Sequence, residues 1–213
     1  MDNGKAKERI SMKTICIAGH SGSGKTTMSY LMEKYLPNAY NIRKVEDEFF
    51  KIKNREELER MYGVPVPANI DDEKDYLREV AKVYPNREEK FFELLSPLAT
   101  KNMKAAISHV IETYNPDFII IEGIAMPKSH FWWEADYRII VEPANWELLV
   151  EFVKRRREKQ PIVDEKLAEE RRLAVQETLN NAENVSYRVI NNYDDTFEQT
   201  IQAICNEIIE YVN

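Results

Sequence analysis

The sequence predicts an α/β fold in which a five-stranded parallel sheet is flanked by helices. Three observations support this prediction. Five short apolar runs alternate with helical segments along the 213 residues, as in chains built from β-α-β units. A glycine-rich loop joins the first run to the first helix. The run at 117–122 is apolar almost throughout, which is typical of a central strand that is buried on both faces.

The first half of the chain contains two of the predicted strands and a mostly helical segment at 50–115. The strands are residues 13–18 and 38–45, and residues 27–35 form the helix behind the glycine-rich loop. Four further helices are expected: 54–62, a helix capped by Asp71-Asp72 that ends near Val83, a short helix that ends at Leu95, and a separate helix from Ser96-Pro97 to Tyr114.

The second half supplies the remaining predicted strands at 117–122, 137–142 and 186–190. Helices are expected from Trp146 to the basic run at 154–157, at 164–180, and in the closing segment, where apolar residues recur at helical spacing. No Gly/Ser-rich linker interrupts the chain, so we expect one domain at 13–213 behind a flexible N-terminal extension at 1–12. Ligands should bind beyond the carboxyl ends of the strands.

Composition excludes several classes of protein. The chain is 43% hydrophobic, which is enough for one domain with a full core. Its net charge of -7 argues against general nucleic-acid binding. No apolar run approaches the roughly 18 residues that a membrane span needs. Cys16 and Cys205 lie in apolar stretches far apart, which predicts buried free thiols in a reducing, cytoplasmic compartment.

Residues 19–26 match G-x-x-x-x-G-K-[ST], the phosphate-binding P-loop. The glycines let the backbone curl around an anion, and the curled N–H groups and the next helix add positive potential. Lys25 would reach the β- and γ-phosphates, and the Thr26 hydroxyl would hold Mg²⁺. The predicted nucleotide-binding residues here are Gly19, His20, Ser21, Gly22, Ser23, Gly24, Lys25, Thr26 and Thr27. The alternative is a Gly/Ser-rich turn that binds nothing.

Two carboxylates follow predicted strands at the same edge of the sheet. Asp47 lies just past the second strand, where it could accept a proton from an acceptor hydroxyl or hold Mg²⁺ through water. Glu122 ends the most apolar strand, and burying it unpaired would cost several kcal/mol, so we expect it to face the site and support Mg²⁺. The alternatives are a solvated acid for Asp47 and a surface residue that caps the strand for Glu122.

A basic helix–turn–helix at 154–172 is the candidate lid. Its cations are Lys154, Arg155, Arg156, Arg157, Arg171 and Arg172. Arginines over the phosphates would stabilise a transferring phosphoryl group, and a closed lid would exclude water. Arg156 and Arg172 are the residues we expect to reach phosphate. Alternatively, these cations only favour a helix C-terminus. Several of them could also pair with the neighbouring acids Glu158, Glu165, Glu169 and Glu170.

The aromatic and histidine residues give weaker signals. Phe131-Trp132-Trp133 follows Gly123 across a predicted loop, and it either stacks an acceptor ring or packs in a core or dimer interface. The three histidines share no metal-ligand spacing, and His20 occupies a variable position of the P-loop motif. No Cys/His cluster predicts zinc.

These motifs together resemble P-loop kinases that phosphorylate small molecules. Residues 19–27, Lys34-Tyr35-Leu36-Pro37-Asn38, Asp47-Glu48-Phe49-Phe50-Lys51 and Ile121-Glu122-Gly123 are similar to uridine kinases and nicotinamide riboside kinases. The second half resembles dephospho-CoA kinases at Leu94-Leu95-Ser96-Pro97-Leu98, in the Arg172 and Gln176 spacing, and at 187–192. Ser96 and Glu122-Gly123-Ile124 depart from the dephospho-CoA kinase pattern.

The resemblance implies a P-loop NTPase fold, with the P-loop strand beside the strand that ends at Glu122, and an ATP- and Mg²⁺-dependent kinase. Lys25, Asp47 and Arg156 would be catalytic, and Thr26, Glu122 and Asp47 would hold the metal. We expect the acceptor contacts to come from residues 50–115 and 124–135. Its partner would be a small molecule with a ribose-type hydroxyl, in a monomer or a homo-oligomer. The alternatives are an NTPase switch or nucleotide-binding regulator without an acceptor, and a non-catalytic assembly protein.

Overall fold

The computed structural model describes residues 11–124, 126–147, 149–150 and 165–212. Within it the chain divides into two compact units. The first contains the residues up to Asn41 together with those from Pro116 onward, and the second is Ile42–Asn115. The second unit therefore covers the segment that the sequence predicts to be helical.

The first unit is built on a five-stranded parallel sheet. Its strands are β1 (Lys13–Gly19), β2 (Ala39–Asn41), β3 (Phe118–Gly123), β4 (Tyr137–Pro143) and β5 (Tyr187–Asn191), in the order β2-β3-β1-β4-β5. β1 lies between β3 and β4, with Ile17 opposite Glu122 and Gly19 opposite Val141. This register confirms that the P-loop strand neighbours the strand that ends at Glu122.

Helices follow the strands. In chain order they are α1 (Lys25–Tyr35), α2 (Arg43–Phe49), α3 (Arg55–Tyr62), α4 (Glu73–Ala81), α5 (Arg87–Tyr114), α6 (His130–Glu134), α7 (Glu165–Asn180) and α8 (Asp195–Val212). A 3-10 turn spans Met126–Lys128, and residues 146–147 and 149–150 are helical. None of the helices in the described ranges combines the length and the apolar character needed to cross a bilayer.

One core cluster of the first unit lies between the sheet and two helices. Fully buried residues of β1 and β3, among them Ile15 and Phe118, pack with Met28 of α1 and Ile201 of α8. Full burial of such side chains contributes about 1.5–3 kcal/mol each. Cys16 and Cys205 are buried free thiols, as the sequence predicts, and burial raises the pKa of each to about 12. Both therefore stay protonated at neutral pH and are poor nucleophiles.

The second unit confirms two helix boundaries that depend on local capping. The Asn54 side chain accepts a hydrogen bond from the Glu57 N–H (3.1 Å) at the start of α3, and Gly63 ends that helix with φ 68°. The Asp72 carboxylate accepts from the Lys74 N–H (2.7 Å) at the start of α4. Tyr76 of α4 is fully buried, and its hydroxyl donates to the Val64 carbonyl (2.7 Å).

Two predicted elements are wrong. The second strand ends at Asn41 rather than 45, and Arg43–Phe49 is helical, so Asp47 lies on α2. Among the described strands β2 lies at the edge of the sheet, beside β3, and its pairing with β3 covers Ala39–Asn41 and ends there. The two helices predicted around Pro97 are one helix, α5. Pro97 removes one hydrogen bond at a cost of about 3 kcal/mol, which the packing of α5 against α2 and α4 offsets.

The tandem tryptophans lie on a short helix, α6. Trp132 is fully buried, and its indole N–H donates to the Glu183 carbonyl (3.0 Å). Trp133 is 50% exposed. Of the two alternatives, core packing therefore describes Trp132.

This adjacent pair provides a matched test of the core. We expect Trp132→Ala to lower the free energy of unfolding by about 3–5 kcal/mol, because it leaves a cavity and an unsatisfied carbonyl. Trp133→Ala should lower it by less than about 1 kcal/mol, since half of that side chain is already in water. Urea denaturation followed by circular dichroism measures both. Equal losses would show that Trp132 is not a core residue.

Candidate active site

The chain reverses direction between β1 and α1 in a loop whose shape requires glycine. Gly24 has φ 103°, and a Cβ there would lie 2.4 Å from the Asn191 amide nitrogen. A Cβ on Gly19 would lie 2.4 Å from the Val141 carbonyl oxygen. Inside the loop the Ser23 N–H donates to the His20 carbonyl (3.1 Å). The loop is therefore closely packed against β4 and the last residue of β5.

The outer side of the loop is held by Asn191, the last residue of β5, and by Tyr193. The Asn191 amide donates to the Ser23 carbonyl (3.0 Å), and the Tyr193 hydroxyl contacts the Gly22 carbonyl (3.4 Å). In a trans peptide the C=O and the next N–H point in opposite directions, so anchoring the Ser23 carbonyl turns the Gly24 N–H away from Asn191. Sequence reasoning missed both residues. Its only signal was the Asn191-Asn192 turn after the last strand.

The predicted catalytic lysine is held inside the loop. Lys25 is 8% exposed, and its ammonium donates to the His20 carbonyl at 2.7 Å. A buried ammonium needs such a hydrogen bond because desolvating it otherwise costs several kcal/mol. The structure thus places one cation and the N-terminus of α1 at the same loop.

Thr26 and Glu122, the two predicted metal ligands on this unit, are in contact. The Thr26 hydroxyl donates to the Glu122 carboxylate (2.8 Å), and the Ser29 hydroxyl lies 3.4 Å from its other oxygen. Asn41 in turn donates to Ser29 (2.9 Å). Glu122 therefore faces α1 rather than capping the strand in solvent. A hydroxyl and a carboxylate are the oxygen donors that Mg²⁺ prefers, with phosphate and water completing its shell.

Among the described residues, no group of three or more His, Cys, Asp and Glu could by itself hold a metal ion. The oxygen pair at Thr26 and Glu122 suits a cation that shares its ligands with a bound phosphate. Such a site is incomplete without the phosphate.

His20 occupies a variable position of the P-loop motif, yet its side chain contacts two residues outside the loop. It is 4% exposed, its Nε2 lies 2.9 Å from Gln176 Oε1 on α7, and its ring meets the Trp146 ring edge-on at 4.7 Å. Burial lowers the pKa of His20, and the nearby Lys25 and Arg172 lower it further, while the Gln176 bond opposes the shift. The imidazole is therefore neutral at neutral pH.

Arg172 is the candidate lid cation whose side chain the structure describes. Its guanidinium pairs with Glu169, one of the alternatives foreseen from sequence, and lies 5.0 Å from the Trp146 ring centroid. Arg156 and the basic run at 154–157 lie outside the described residues, as does the side chain of Arg171.

Asp47 belongs to the second unit. Its side chain is 68% exposed, and its carboxylate lies 3.6 Å from the Lys74 ammonium. With Lys51, Asp72 and Arg78 it lines an open polar cleft within that unit. Its role as the acceptor-side carboxylate stays a prediction.

Comparisons with solved structures identify the fold. The protein TT1252 from Thermus thermophilus superimposes with a TM-score of 0.65 at 15% identity, covering 94% of this chain and 98% of that one. A shikimate kinase from Bacteroides thetaiotaomicron gives 0.53 at 16% identity, covering 94% and 99%. The fold is that of the P-loop kinases.

A dephospho-CoA kinase from Campylobacter jejuni gives a TM-score of 0.48 at 14% identity, covering 95% of this chain and 98% of that one, and is too distant to choose an acceptor. No family model and no curated protein matches the chain. The resemblance to uridine and nicotinamide riboside kinases stays a prediction.

Two glycines test the packing of the P-loop. Both Gly24 and Gly63 have left-handed backbone angles, and adding a Cβ to such a residue costs about 1–2 kcal/mol. Of these two glycines Gly24 is the crowded one, because nothing lies within 4 Å of a Cβ on Gly63. We expect Gly24→Ala to lower the free energy of unfolding by at least about 1 kcal/mol more than Gly63→Ala, because it displaces Asn191. Thermal and urea unfolding measure the difference. Identical losses would contradict the close approach of Asn191.

Proposed function

We propose that this protein is an ATP- and Mg²⁺-dependent kinase that transfers the γ-phosphate to a hydroxyl of a nucleoside or nucleotide-like small molecule. One observation carries the proposal: Lys25, Thr26 and Glu122 converge at the start of α1, behind a loop that Asn191 braces from outside. The fold shared with a shikimate kinase supports phosphoryl transfer to a small molecule.

The donor would bind at the loop. The Lys25 ammonium would exchange the His20 carbonyl for β- and γ-phosphate oxygens, and the loop N–H groups and the N-terminus of α1 would bind the remaining charge. Thr26 and Glu122 would hold Mg²⁺, which when bound neutralises charge on the phosphates. Thr27 and the rest of the 19–27 set would complete the cradle.

The acceptor would approach the γ-phosphate in line with the leaving ADP. Its hydroxyl oxygen forms the new P–O bond, the bond from the γ-phosphorus to the β–γ bridging oxygen breaks, and Asp47 takes up the hydroxyl proton. Arg172, and Arg156 from the lid, would stabilise the charge on the transferring group. Arg172 must first leave its contacts with Glu169 and Trp146.

The acceptor class rests on the motifs alone. The Asp47-Glu48-Phe49-Phe50-Lys51 segment and the Arg172–Gln176 spacing resemble two branches of kinases that both phosphorylate a ribose hydroxyl. The proposal therefore favours a ribose-type hydroxyl over other alcohols.

The P-loop lysine is the first residue to test. We expect Lys25→Ala to lower phosphoryl transfer roughly 10²–10³-fold, as loss of an electrostatic transition-state contact does. Lys34→Ala is the matched control, because Lys34 lies on the same helix but is 62% exposed and pairs with Glu198. A coupled assay of ADP release measures both variants. Wild-type turnover by Lys25→Ala would refute the proposed donor site.

Asp47 tests the acceptor side. A screen of ADP release should include uridine, cytidine, nicotinamide riboside, dephospho-CoA, pantothenate and shikimate. With the best acceptor, Asp47→Asn should lower turnover roughly 10²–10⁴-fold, because the general base is lost.

Glu48→Gln is the matched control for Asp47→Asn, because it removes the acid next to Asp47, and that acid pairs with Lys51. This variant should keep full activity. If ADP were released rapidly and no acceptor changed the rate, the protein would be an NTPase switch instead.

A further inference from the structure

Helix α7 contacts the P-loop through a cluster of four side chains. Gln176 accepts a hydrogen bond from His20, the His20 ring meets the edge of Trp146, and Arg172 covers the Trp146 ring. Arg172 and Gln176 lie one turn apart on α7 and therefore project from the same side of that helix. The cluster joins a helix at 165–180 to the second residue of a loop near the start of the chain.

His20 is also the residue that holds Lys25. Its carbonyl accepts from the Lys25 ammonium (2.7 Å) and from the Ser23 N–H (3.1 Å). Any rotation of the His20 backbone would move the acceptor of both bonds. The position of the ammonium thus depends on how firmly His20 is fixed.

The hydrogen bond between α7 and His20 has a defined direction. The Gln176 amide nitrogen donates to Asn180 Oδ1 (2.9 Å), which leaves its oxygen facing His20 Nε2. An amide oxygen only accepts, so His20 carries its proton on Nε2. Burial lowers the His20 pKa and keeps the ring neutral, so the bond is one between a neutral donor and a neutral acceptor.

We propose that Gln176 is a positioning residue for Lys25 and acts through His20. The proposal rests on the proposed function only in taking Lys25 as the group that binds phosphate. Gln176 fixes the imidazole, the imidazole fixes the His20 peptide, and the peptide carbonyl fixes the ammonium.

The docking of α7 itself does not depend on Gln176. Leu179 of the same helix is fully buried, and its carbonyl accepts from Arg188 (2.9 Å). Replacing Gln176 should therefore leave α7 in place and change only the support of His20. The effect of replacing Gln176 can therefore distinguish a role in positioning His20 from a role in the docking of α7.

The test measures Lys25 directly, without nucleotide. The rate at which trinitrobenzenesulfonate labels Lys25 is followed by peptide mass spectrometry in the wild type, Gln176→Leu, Gln176→Glu and Glu177→Leu. Gln176→Leu should label about fivefold faster, the factor expected when one neutral hydrogen bond is lost. Gln176→Glu keeps the acceptor and should restore the slow rate. Glu177→Leu is the matched control on the exposed side of α7 and should not change it.

A double-mutant cycle on Mg·ATP affinity provides the second measurement. Gln176→Leu should weaken binding about fivefold in the wild type but less than about twofold in Lys25→Ala, because its effect passes through the ammonium. Equal losses in the two backgrounds, or an unchanged labelling rate of Lys25 in Gln176→Leu, would overturn the inference. If labelling responds as expected but the wild type binds no nucleotide, the positioning role stands and the proposed function fails.

Discussion

The first unit depends on a backbone reversal that has almost no room for side chains. Between β1 and α1 the chain passes within van der Waals distance of Val141 and Asn191, so that a methyl group on Gly19 or Gly24 would collide with them. The reversal places the N-terminus of α1 over the carboxyl end of β1. Because β3 lies parallel to β1 in register, Glu122 then stands beside Thr26. The convergence of Lys25, Thr26 and Glu122 follows from this single constraint.

The support of the loop comes from segments that lie far away in sequence. Asn191 reaches the Ser23 carbonyl across 168 positions, and Gln176 reaches His20 across 156. Strand order makes these contacts possible, since β4 is next to β1 and β5 next to β4. The loop is thus held from both sides before any ligand arrives, which lowers the entropy cost of binding an anion.

Local signals were enough for most of the fold. The P-loop motif predicted the turn from β1 to α1, and the Asp71-Asp72 cap predicted the start of α4, because each depends on residues within one turn. The errors had tertiary causes. β2 stops at Asn41 where its only neighbour stops pairing with it, and α5 continues through Pro97 because packing outweighs one lost hydrogen bond. No local pattern predicts which residues Asn191 and Gln176 contact, because the two contacts join positions 168 and 156 residues apart.

The near-complete burial of the Lys25 ammonium explains why contacts from residues distant in sequence matter for the P-loop. A nearly buried ammonium must keep a hydrogen-bond acceptor at all times, since leaving it without one costs several kcal/mol. The His20 carbonyl supplies that acceptor in this structure. A neutral carbonyl binds an ammonium more weakly than a charged phosphate oxygen does. The loop therefore holds its cation in a satisfied position, on an acceptor that belongs to the same residue whose ring contacts Gln176 and Trp146.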